Sequence, residues 1–577
     1  MSTEAAPARF GYSVRPRRAR TLLAALTRAL FTRALLAAVL LATSLVATAA
    51  PAAARAAGRA PAHTVTYDPY SFLIDGARTY LWSGEFHYYR LPSPDLWRDV
   101  LQKMKAGGFN AVSLYFDWAY HSPRPGGYDF SGVRDVDRLL SIASDVGIYV
   151  IARPGPYINA EVDSGGFPGW LTTQQGRARS TAPDYLAAAD EWLSHIDPIL
   201  ARHQITDGTG TVITYQVENE FYDGSPAARE YMAHLERKVR ADGITVPLVG
   251  NHNNVYNTGV GALDVDMPDA YPQGFNCSNP THWRGVGDLT WARSPGKPLG
   301  IGEFQGGAFD PWGGPGYDKC RQLTGPEFEK VFYKHNIAQG VTQQSFYMTY
   351  GGTSWGWQAD PQQVYTSYDY GAPITEGRQL GAKYDEDKRI GYFTQAVAPL
   401  TKTDPLAAAP PSSPAIVDTA RVNRDDGTQF HVLRHADSTS TATDSTHIAL
   451  DLGPDRAYPS VPQEPGTSIT FAGRDSKIIV ANYQLDAQSL RYSTSEIMTH
   501  AEIGGRDVAL LYGRAGQDGE TVLHYPTRPT VTVLDGAVRS TWDAASGDLR
   551  LDYAHTGLAR VLVTGGARPL LLLLATD

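Results

Sequence analysis

Two apolar stretches that end abruptly in glutamates constrain the fold more than any other feature of the sequence. Residues 212–221, VITYQVENEF, contain no Gly or Pro and predict a strand that is buried on both faces. Residues 298–307, PLGIGEFQGG, repeat this form and deliver Glu303 into a glycine-rich turn. Carboxylates at the end of a buried strand are costly unless they are solvated or paired. At the carboxyl-terminal mouth of a parallel barrel, such positions usually belong to catalysis.

Short apolar runs alternate with helical segments from about residue 65 to residue 400. The run 79–87, for example, is followed by Ser93-Pro94-Asp95, which is typical of a helix start, and by an apolar stripe that ends at Gly107-Gly108. The runs 110–116 and 148–152 are further strands of the same series. About eight strand units, with helices between most of them, predict a (β/α)8 TIM barrel with long loops at its mouth.

The composition changes after the last helical segment. Residues 403–414, TDPLAAAPPSSP, have the composition of a linker between a barrel at 61–402 and a second region at 415–577. In that second region helical periodicity disappears, and short strand-like runs alternate with Gly, Asp and Pro turns. The sequence therefore predicts an α/β barrel followed by an all-β, sandwich-like carboxyl-terminal region.

Residues 1–60 have the pattern of a signal segment for export. A basic region with arginines up to Arg33 precedes the apolar run 34–50, and the small-residue stretch PAAARAA offers cleavage sites. The apolar run is shorter than the ~20 residues that a spanning helix needs, so a retained anchor is the weaker alternative. We therefore expect a secreted protein that keeps no stable membrane span after the signal is removed.

The charge balance argues against nucleic acid as a partner. The formal net charge is −9, and residues 1–50 hold seven Arg and one Glu, which leaves −15 for the remainder. An acidic chain with no Lys/Arg-rich patch after residue 60 is a poor candidate for binding nucleic acid or anionic membranes. Aromatic residues make up 11% of the chain, which suits either a sugar-stacking site or a large core.

The chain contains two cysteines, Cys277 and Cys320. They are either two buried free thiols or one disulfide. An even number of cysteines in an exported chain favours the disulfide.

The two glutamates at strand ends have the residue type that glycosidic-bond cleavage requires. One carboxyl protonates the leaving oxygen, and another meets the developing oxocarbenium ion. In the retaining reaction the two groups lie about 5 Å apart and the second is a nucleophile. By our count Glu220 and Glu303 rise from the ends of the fourth and seventh strands, which a barrel brings to one mouth.

Nine motifs, seven in the barrel and two in the β region, are similar to those of one family. The motifs are GEFHYYR, LYFDWAYH, ARPGPYINAEVDSGGFPGWL, QVENEF, GEFQGGAFDPWGG, MTYGGTSWGW, TSYDYGAPITE, FAGRDSKIIVANY and ALLYGRAGQDGE. With these motifs the chain resembles the secreted fungal and bacterial β-galactosidases of glycoside hydrolase family 35.

This resemblance implies a role for each residue that matches a family position. The family's acid/base is the Glu of the Asn-Glu pair, here Glu220, and its nucleophile is the Glu of GEFQGG, here Glu303. Asn219 matches the amide that binds the sugar 2-hydroxyl. Glu218, which periodicity alone does not separate from Glu220, is better explained as a structural ion pair. The other positions that match substrate-binding residues are Tyr115, Asn159, Ala160, Glu161, Tyr271 and Tyr368.

Further residues of these motifs are expected to support the site. His87 and Arg90 lack a metal-ligand spacing and are assigned supporting roles. Trp312 and Trp355 either wall the pocket or anchor their loops. The resemblance also implies that Cys277 and Cys320 form a disulfide, as in the fungal relatives. Those relatives continue beyond the β region into further domains, so we expect either a naturally short form or a truncated chain.

The leading expectation is an exo-acting retaining β-galactosidase that hydrolyses terminal non-reducing β-D-galactosyl residues of oligosaccharides or glycans. The two carboxylates supply proton transfer and covalent catalysis, so no metal and no organic cofactor are expected. A related exo-β-glycosidase, acting on β-glucosaminyl or β-glucosyl ends, is the alternative within enzymes. A non-catalytic carbohydrate-binding protein is the alternative from another class. The oligomeric state is not predicted.

Overall fold

A curled sheet of parallel strands lies at the centre of the larger part of the molecule. The computed structural model describes residues 62–287, 289–454 and 456–577, so the predicted signal segment, 1–60, lies outside the described residues. A small antiparallel sheet of β1 (Val65–Tyr67), β2 (Phe72–Ile74) and β3 (Ala77–Thr79) precedes it. The strands of the parallel sheet are β4 (Leu81–Phe86), β5 (Ala111–Tyr115), β6 (Tyr149–Arg153), β7 (Val212–Gln216), β8 (Leu248–Gly250), β9 (Val265–Asp266), β10 (Asp269–Ala270), β11 (Gly300–Gln305) and β12 (Gln343–Tyr350).

The two ends of this sheet meet within one short segment of the chain. The spatial order is β10-β11-β12-β4-β5-β6-β7-β8-β9. Since only Met267 and Pro268 separate β9 from β10, residues 265–270 pair with β8 on one side and with β11 on the other. The sheet therefore closes on itself, and residues 265–270 supply the sixth strand of the predicted (β/α)8 barrel. The predicted fold class is confirmed.

Helices follow most of the barrel strands. They are α1 (Trp97–Ala106), α2 (Trp118–His121), α3 (Val136–Val146), α4 (Pro183–Arg202), α5 (Pro226–Ala241), α6 (Tyr317–Leu323), α7 (Pro326–Gln339) and α8 (Ala382–Ala396). In α3 the side chain of Asp135 caps the first turn by accepting from the backbone N–H of Arg138. Gly147 ends that helix in the left-handed conformation, at φ 73°. Helix α1 buries the apolar stripe that its sequence predicts, including Val100 and Met104.

The carboxyl-terminal region is all-β. Its strands are β13 (Asp404–Leu406), β14 (Ile416–Val422), β15 (Gln429–His435), β16 (Thr443–Thr446), β17 (Ile448–Asp451), β18 (Ala457–Val461), β19 (Ile469–Ala472), β20 (Ser476–Leu485), β21 (Gln488–Ser493), β22 (Glu496–Ile503), β23 (Arg506–Gly513), β24 (Asp518–His524), β25 (Thr530–Asp535), β26 (Val538–Asp543), β27 (Asp548–Ala554), β28 (Ala559–Thr564) and β29 (Leu570–Thr576).

Two larger sheets of this region share one core. An antiparallel sheet has the order β13-β14-β15-β20-β21-β24-β27-β26, and a second sheet has the order β22-β23-β29-β28-β25. Strand β29, the leucine-rich end of the sequence, buries alternate leucines with side chains of both sheets in one cluster. The sandwich-like prediction is therefore confirmed. Strand β13 falls within the predicted linker 403–414, and the domain boundaries given above stay predictions.

A buried group of charges joins the barrel helices to the β region. The ammonium of Lys334, on α7, donates to Oε1 of Glu496, at the start of β22, over 2.7 Å. The same ammonium lies 3.7 Å from Glu386 on α8. Lys334 and Glu386 are at most 1% exposed, and Glu496 is 9% exposed. Charges removed from water this completely depend on one another.

No helix of the described ranges is both long enough and apolar enough to span a lipid bilayer.

Lys334→Met is expected to destabilise the protein by about 3–5 kcal/mol, because the buried carboxylate of Glu496 loses the ammonium that donates to it, whereas Glu386 keeps its ion pair with Arg389. The apparent Tm in a thermal melt should fall by several degrees. Lys402→Met is the matched control, because Lys402 pairs with a largely exposed Asp425 and such pairs contribute about 0–1 kcal/mol. Equal Tm values for the two variants would contradict this account of the interface.

Candidate active site

A cavity of about 260 Å³ lies at the carboxyl ends of the barrel strands. Its wall is formed by residues at the ends of β5, β7, β11 and β12 and by the loops that follow β6, β10, β11 and β12. The lining residues are Tyr115, Ile158, Asn159, Ala160, Glu161, Asn219, Glu220, Tyr271, Phe275, Glu303, Phe309, Tyr347 and Gln363. The structure thus brings together eight of the nine residues that the resemblance assigned to catalysis or substrate binding. The ninth, Tyr368, lies behind Glu161.

Three carboxyl groups lie close together at this cavity, and two of them, Glu220 and Glu303, line it. One carboxylate oxygen each of Glu220, Asp269 and Glu303 lies within 4.8 Å of the others. Asp269, which the sequence analysis did not single out, stands directly opposite Glu303 in the β10–β11 pairing. These three oxygens lie close enough together to contact one cation. The expectation that the site works without a metal therefore stays a prediction.

Glu303 receives three strong hydrogen bonds. Oε1 accepts from the guanidinium of Arg153 over 2.5 Å and from the phenol of Tyr115 over 2.7 Å. Oε2 accepts from the phenol of Tyr271 over 2.5 Å. Donors aimed at both oxygens stabilise the ionised carboxylate and fix its orientation. This environment suits a nucleophile.

Arg153 is held in place by side chains of the neighbouring strands β4 and β5. It is 1% exposed, donates to Glu85 over 2.9 Å and lies 3.8 Å from the ring centre of Tyr115. Burial, followed by the charges of Arg90 and Arg153, lowers the pKa of His87 well below its ordinary value. His87 is therefore neutral and adds no second positive charge beside Arg153. This fits the supporting role expected for His87.

Glu220 stands in a different environment from Glu303. Its backbone adopts a left-handed conformation at φ 46°, and its backbone N–H donates to Oδ1 of Asn251 over 3.0 Å. Its Oε1 accepts from the phenol of Tyr222 over 2.9 Å. Burial, followed by the charge of Glu303, raises the pKa of Glu220 above its ordinary value. A carboxyl that keeps its proton to higher pH suits a general acid.

Glu218 is separated from Glu220 by the backbone rather than by strand alternation. Strand β7 ends at Gln216, and Glu218 also adopts a left-handed conformation, at φ 62°. Its carboxylate is fully buried and pairs with Arg179 over 2.7 Å and with the phenol of Tyr231 over 2.7 Å. Glu218 thus forms the ion pair that the sequence analysis preferred for it.

The loop after β6 turns three consecutive residues toward the cavity. Asn159, Ala160 and Glu161 all have left-handed φ, at 54°, 57° and 46°. Three such residues in a row are strained unless the surroundings hold them. The buried guanidinium of Arg90 does so by donating to the carbonyl oxygens of Ala160 over 2.9 Å and Glu161 over 3.2 Å. This contact explains the supporting role of Arg90.

The carboxyl of Glu161 is surrounded by phenols. Its Oε2 accepts from Tyr347 over 3.1 Å and also from Tyr368. Burial raises its pKa to about 7, although both phenols act in the opposite direction. Arg90 lies 3.6 Å from the ring centre of Tyr368. Tyr368 therefore supports Glu161 from behind instead of lining the cavity.

Asn219 is held by side chains from several strands. Its Oδ1 accepts from Tyr115, from Asn251 over 2.8 Å and from Arg153 over 3.2 Å. Within the described ranges its amide nitrogen donates one hydrogen bond, to the carbonyl oxygen of Ile158 over 3.1 Å. The second N–H of this amide therefore remains for a ligand in the cavity.

Several residues of the site were missed by the sequence analysis. They are Arg153, Tyr222, Asn251, Asp269 and Tyr347. Arg153 and Asn251 follow apolar runs, so the signal that identified Glu220 and Glu303 could also have found them. Asp269 lies in a two-residue strand that gives no periodic signal. Burial, followed by the charges of Glu303 and Glu220, raises the pKa of Asp269 well above its ordinary value.

Trp312 and Trp355, the two tryptophans that are candidates for the pocket wall, do not line this cavity. Trp312 is 83% exposed and packs edge-on against Tyr365. Trp355 is 46% exposed and lines a separate apolar hollow. Two phenylalanines form the wall instead: Phe275 stacks on Phe309 with ring centres 4.4 Å apart.

Cys277 and Cys320 form a disulfide with an S–S distance of 2.11 Å. The disulfide alternative of the sequence analysis is therefore confirmed. Cys277 follows Phe275 by two residues, and Cys320 belongs to α6. The covalent bond thus ties the loop that carries Phe275 to a barrel helix.

Comparison with known proteins identifies the family. Residues 71–393 match the model of "Glycosyl hydrolases family 35", and residues 401–576 match that of "Beta-galactosidase, domain 2". The chain is 39% identical over 531 residues to "Beta-galactosidase A" of Aspergillus niger, which covers 88% of this chain and 52% of the relative. It is 38% identical over 529 residues to "Beta-galactosidase A" of Aspergillus oryzae, with 88% and 52% covered. The chain spans about half the length of the curated relatives it matches. Since the first family model covers more than half of the sequence, the chain belongs to glycosyl hydrolases family 35.

Proposed function

We propose that this protein is an exo-acting retaining β-galactosidase that releases terminal non-reducing β-D-galactosyl residues. The observation that carries the proposal is the approach of Glu220 and Glu303, whose carboxylate oxygens lie within 4.8 Å. Retaining glycosidases hold their two carboxyls ~5–5.5 Å apart, whereas inverting enzymes need ~6.5–9.5 Å to admit a water. The names of the relatives support galactose as the sugar.

The two glutamates divide the reaction into two displacements. In the first, an oxygen of Glu303 attacks the anomeric carbon while Glu220 gives its proton to the departing glycosidic oxygen. This step forms a galactosyl ester on Glu303 and releases the aglycone as an alcohol. In the second, Glu220 takes a proton from water, the resulting hydroxide attacks the same carbon, and Glu303 leaves as a carboxylate. Galactose is released with its original configuration, and no metal or organic cofactor takes part.

The environments of the two glutamates suit these roles. Glu303 needs to be ionised, and Arg153, Tyr115 and Tyr271 all donate to it. Glu220 needs to hold a proton at mild pH, which its raised pKa favours. When Glu303 becomes an ester its charge disappears, so the pKa of Glu220 falls at the step where it acts as a base.

The cavity supports attack at chain ends. A cavity of about 260 Å³ suits one sugar ring better than a continuous glycan. Asn219, with a free N–H, is assigned to the 2-hydroxyl, and Asn159, Ala160 and Glu161 to the other hydroxyls. A β-galactoside oligosaccharide or glycan is therefore the proposed substrate. The predicted signal segment and the disulfide support secretion.

A panel of nitrophenyl glycosides tests the proposed function. Turnover of the β-galactoside well above that of the β-glucoside and β-glucosaminide is the expected result. Preference for either of the other two sugars would replace galactose in the proposal. Binding of galactose without turnover would show a carbohydrate-binding protein and overturn the proposed enzyme.

Glu303→Gly is expected to be nearly inactive on 2,4-dinitrophenyl β-galactoside and to recover activity with sodium azide. Azide then attacks from the side that Glu303 vacated, and the product is the α-galactosyl azide. The matched variant is Glu220→Gly, in which azide attacks the galactosyl ester from the opposite side and gives the β-azide. NMR of the products distinguishes the two. The reverse assignment of anomers would exchange the roles of the two glutamates.

Asn219→Ala is expected to lower kcat/KM on a β-galactoside about 100-fold, since contacts to the 2-hydroxyl tighten in the transition state. The loss should be tenfold or less on the 2-deoxy-galactoside, which lacks the hydroxyl. Glu464→Gln, a change in the β region, is the control and should leave both values unaltered. Equal losses on the two substrates would contradict the assigned contact.

A further inference from the structure

Tyr222 contacts the carboxyl group that the proposed function assigns to acid/base catalysis. Its phenol donates to Oε1 of Glu220 over 2.9 Å. Tyr222 follows Glu220 by two residues, and its side chain is 45% exposed at the mouth of the barrel. Burial and the charge of Glu220 raise its pKa above the ordinary value, so the phenol stays protonated and remains a donor.

Two side chains donate hydrogen bonds to the carboxyl of Glu220: Tyr222 and, from the loop after β6, Asn159. The backbone N–H of Glu220 donates to Asn251. Of the two donors to the carboxyl, Tyr222 lowers the pKa of Glu220 more than Asn159 does. We infer that Tyr222 is a positioning residue that orients the carboxyl of Glu220 and sets the pH range over which it exchanges its proton. This inference rests on the proposed function, because it concerns the acid/base of that reaction.

The direction of the effect follows from which form of Glu220 accepts the bond. A phenol donates to a carboxylate more strongly than to a carboxylic acid, so Tyr222 stabilises the ionised form and lowers the pKa of Glu220. Burial and Glu303 act in the opposite direction and are the larger causes. Tyr222 therefore limits how far the pKa rises. Without that limit a smaller fraction of Glu220 would be ionised at mild pH and available as the base of the second displacement.

Other charged and titratable groups, and the hydrogen-bonding amide of Asn159, also face Glu220, and the experiment has to hold them constant. They are Glu303 on β11, Asp269 on β10, Arg153 on β6, Tyr157 and Asn159 in the loop after β6, Tyr271 after β10 and Tyr370 after β12. A change confined to the Tyr222 hydroxyl leaves all of them in place. Tyr222→Phe is such a change. Because the ring is 45% exposed, the variant is expected to fold like the wild type, which a thermal melt verifies.

The pH profile of kcat/KM on phenyl β-galactoside is the decisive measurement. Its alkaline limb reports loss of the proton from the general acid. In Tyr222→Phe this limb should move up by roughly 0.5–1 pH unit, the size expected for losing one half-exposed hydrogen bond to a carboxylate. With 2,4-dinitrophenyl β-galactoside, whose leaving group departs without a proton, the same shift should be absent.

Two further variants make the result specific. Tyr222→Leu also lacks the hydroxyl and should shift the limb in the same direction. Tyr70→Phe is the matched control, because its phenol donates to the Asp404 carboxylate over 3.2 Å outside the cavity, and it should leave the profile unchanged. An unchanged or lowered alkaline limb in both Tyr222 variants would overturn the inference.

The inference and the proposed function fail in different ways. If the wild-type protein hydrolyses none of the glycosides, the proposed function falls. The titration of Glu220 is then followed by NMR on protein carrying ¹³C in its glutamate carboxyls, with Glu220→Gln identifying the signal. A pKa of Glu220 that rises in Tyr222→Phe supports the contact assigned here, and an identical titration in the two proteins overturns it.

Discussion

Repulsion among three carboxyl groups that lie close together governs the rest of this site. Glu220, Asp269 and Glu303 bring oxygens within 4.8 Å of one another, and all three cannot ionise together at low cost. Arg153 contacts Glu303 and stabilises its charge. Glu220 and Asp269 receive no such contact from a cation among the described residues, and the pKa of each is raised. The site therefore holds one stabilised carboxylate beside two carboxyls that keep their protons to higher pH. Double displacement needs this difference between the nucleophile and the acid.

The fold creates this asymmetry through the ends of its strands. Closure of the sheet at residues 265–270 places Asp269 opposite Glu303. Left-handed residues after β7 send Glu218 into an ion pair with Arg179 and send Glu220 toward the cavity. The disulfide and the buried Lys334 group stabilise surrounding segments, namely the loop after β10, which is bonded to α6, and the helices that contact the β region. The strained residues at the site thus depend on rigid surroundings.

Much of the fold and the outline of the site could be predicted from the sequence. Strand-length apolar runs separated by helical stripes indicated the barrel, and carboxylates at two strand ends indicated the site. The resemblance to the family supplied the assignment of Glu220 over Glu218, which strand periodicity does not give. The physical reason is visible in the structure, since β7 ends at Gln216 and alternation no longer applies beyond it.

The remaining features depend on contacts between distant parts of the chain. Asp269 lies on a strand too short to leave a periodic signal, and its importance comes from its neighbour on β11. The hydrogen bond from Tyr222 depends on the turn after Glu220, and the hydrogen bond from Tyr368 to Glu161 joins two loops far apart in the sequence. Trp312 and Trp355 lie in glycine-rich loops whose course the sequence does not specify, and both stand outside the cavity.

The central claim is that Glu303 forms a covalent bond to the sugar while the other carboxyls do not. Treatment with 2,4-dinitrophenyl 2-deoxy-2-fluoro-β-galactoside slows the second displacement and should trap the ester, because the fluorine destabilises the oxocarbenium-like transition state. Mass spectrometry of the digested protein is predicted to find the fluorosugar on the peptide that contains Glu303. A label on the peptide of Glu220 or Asp269, or an active enzyme that is never labelled, would contradict the account.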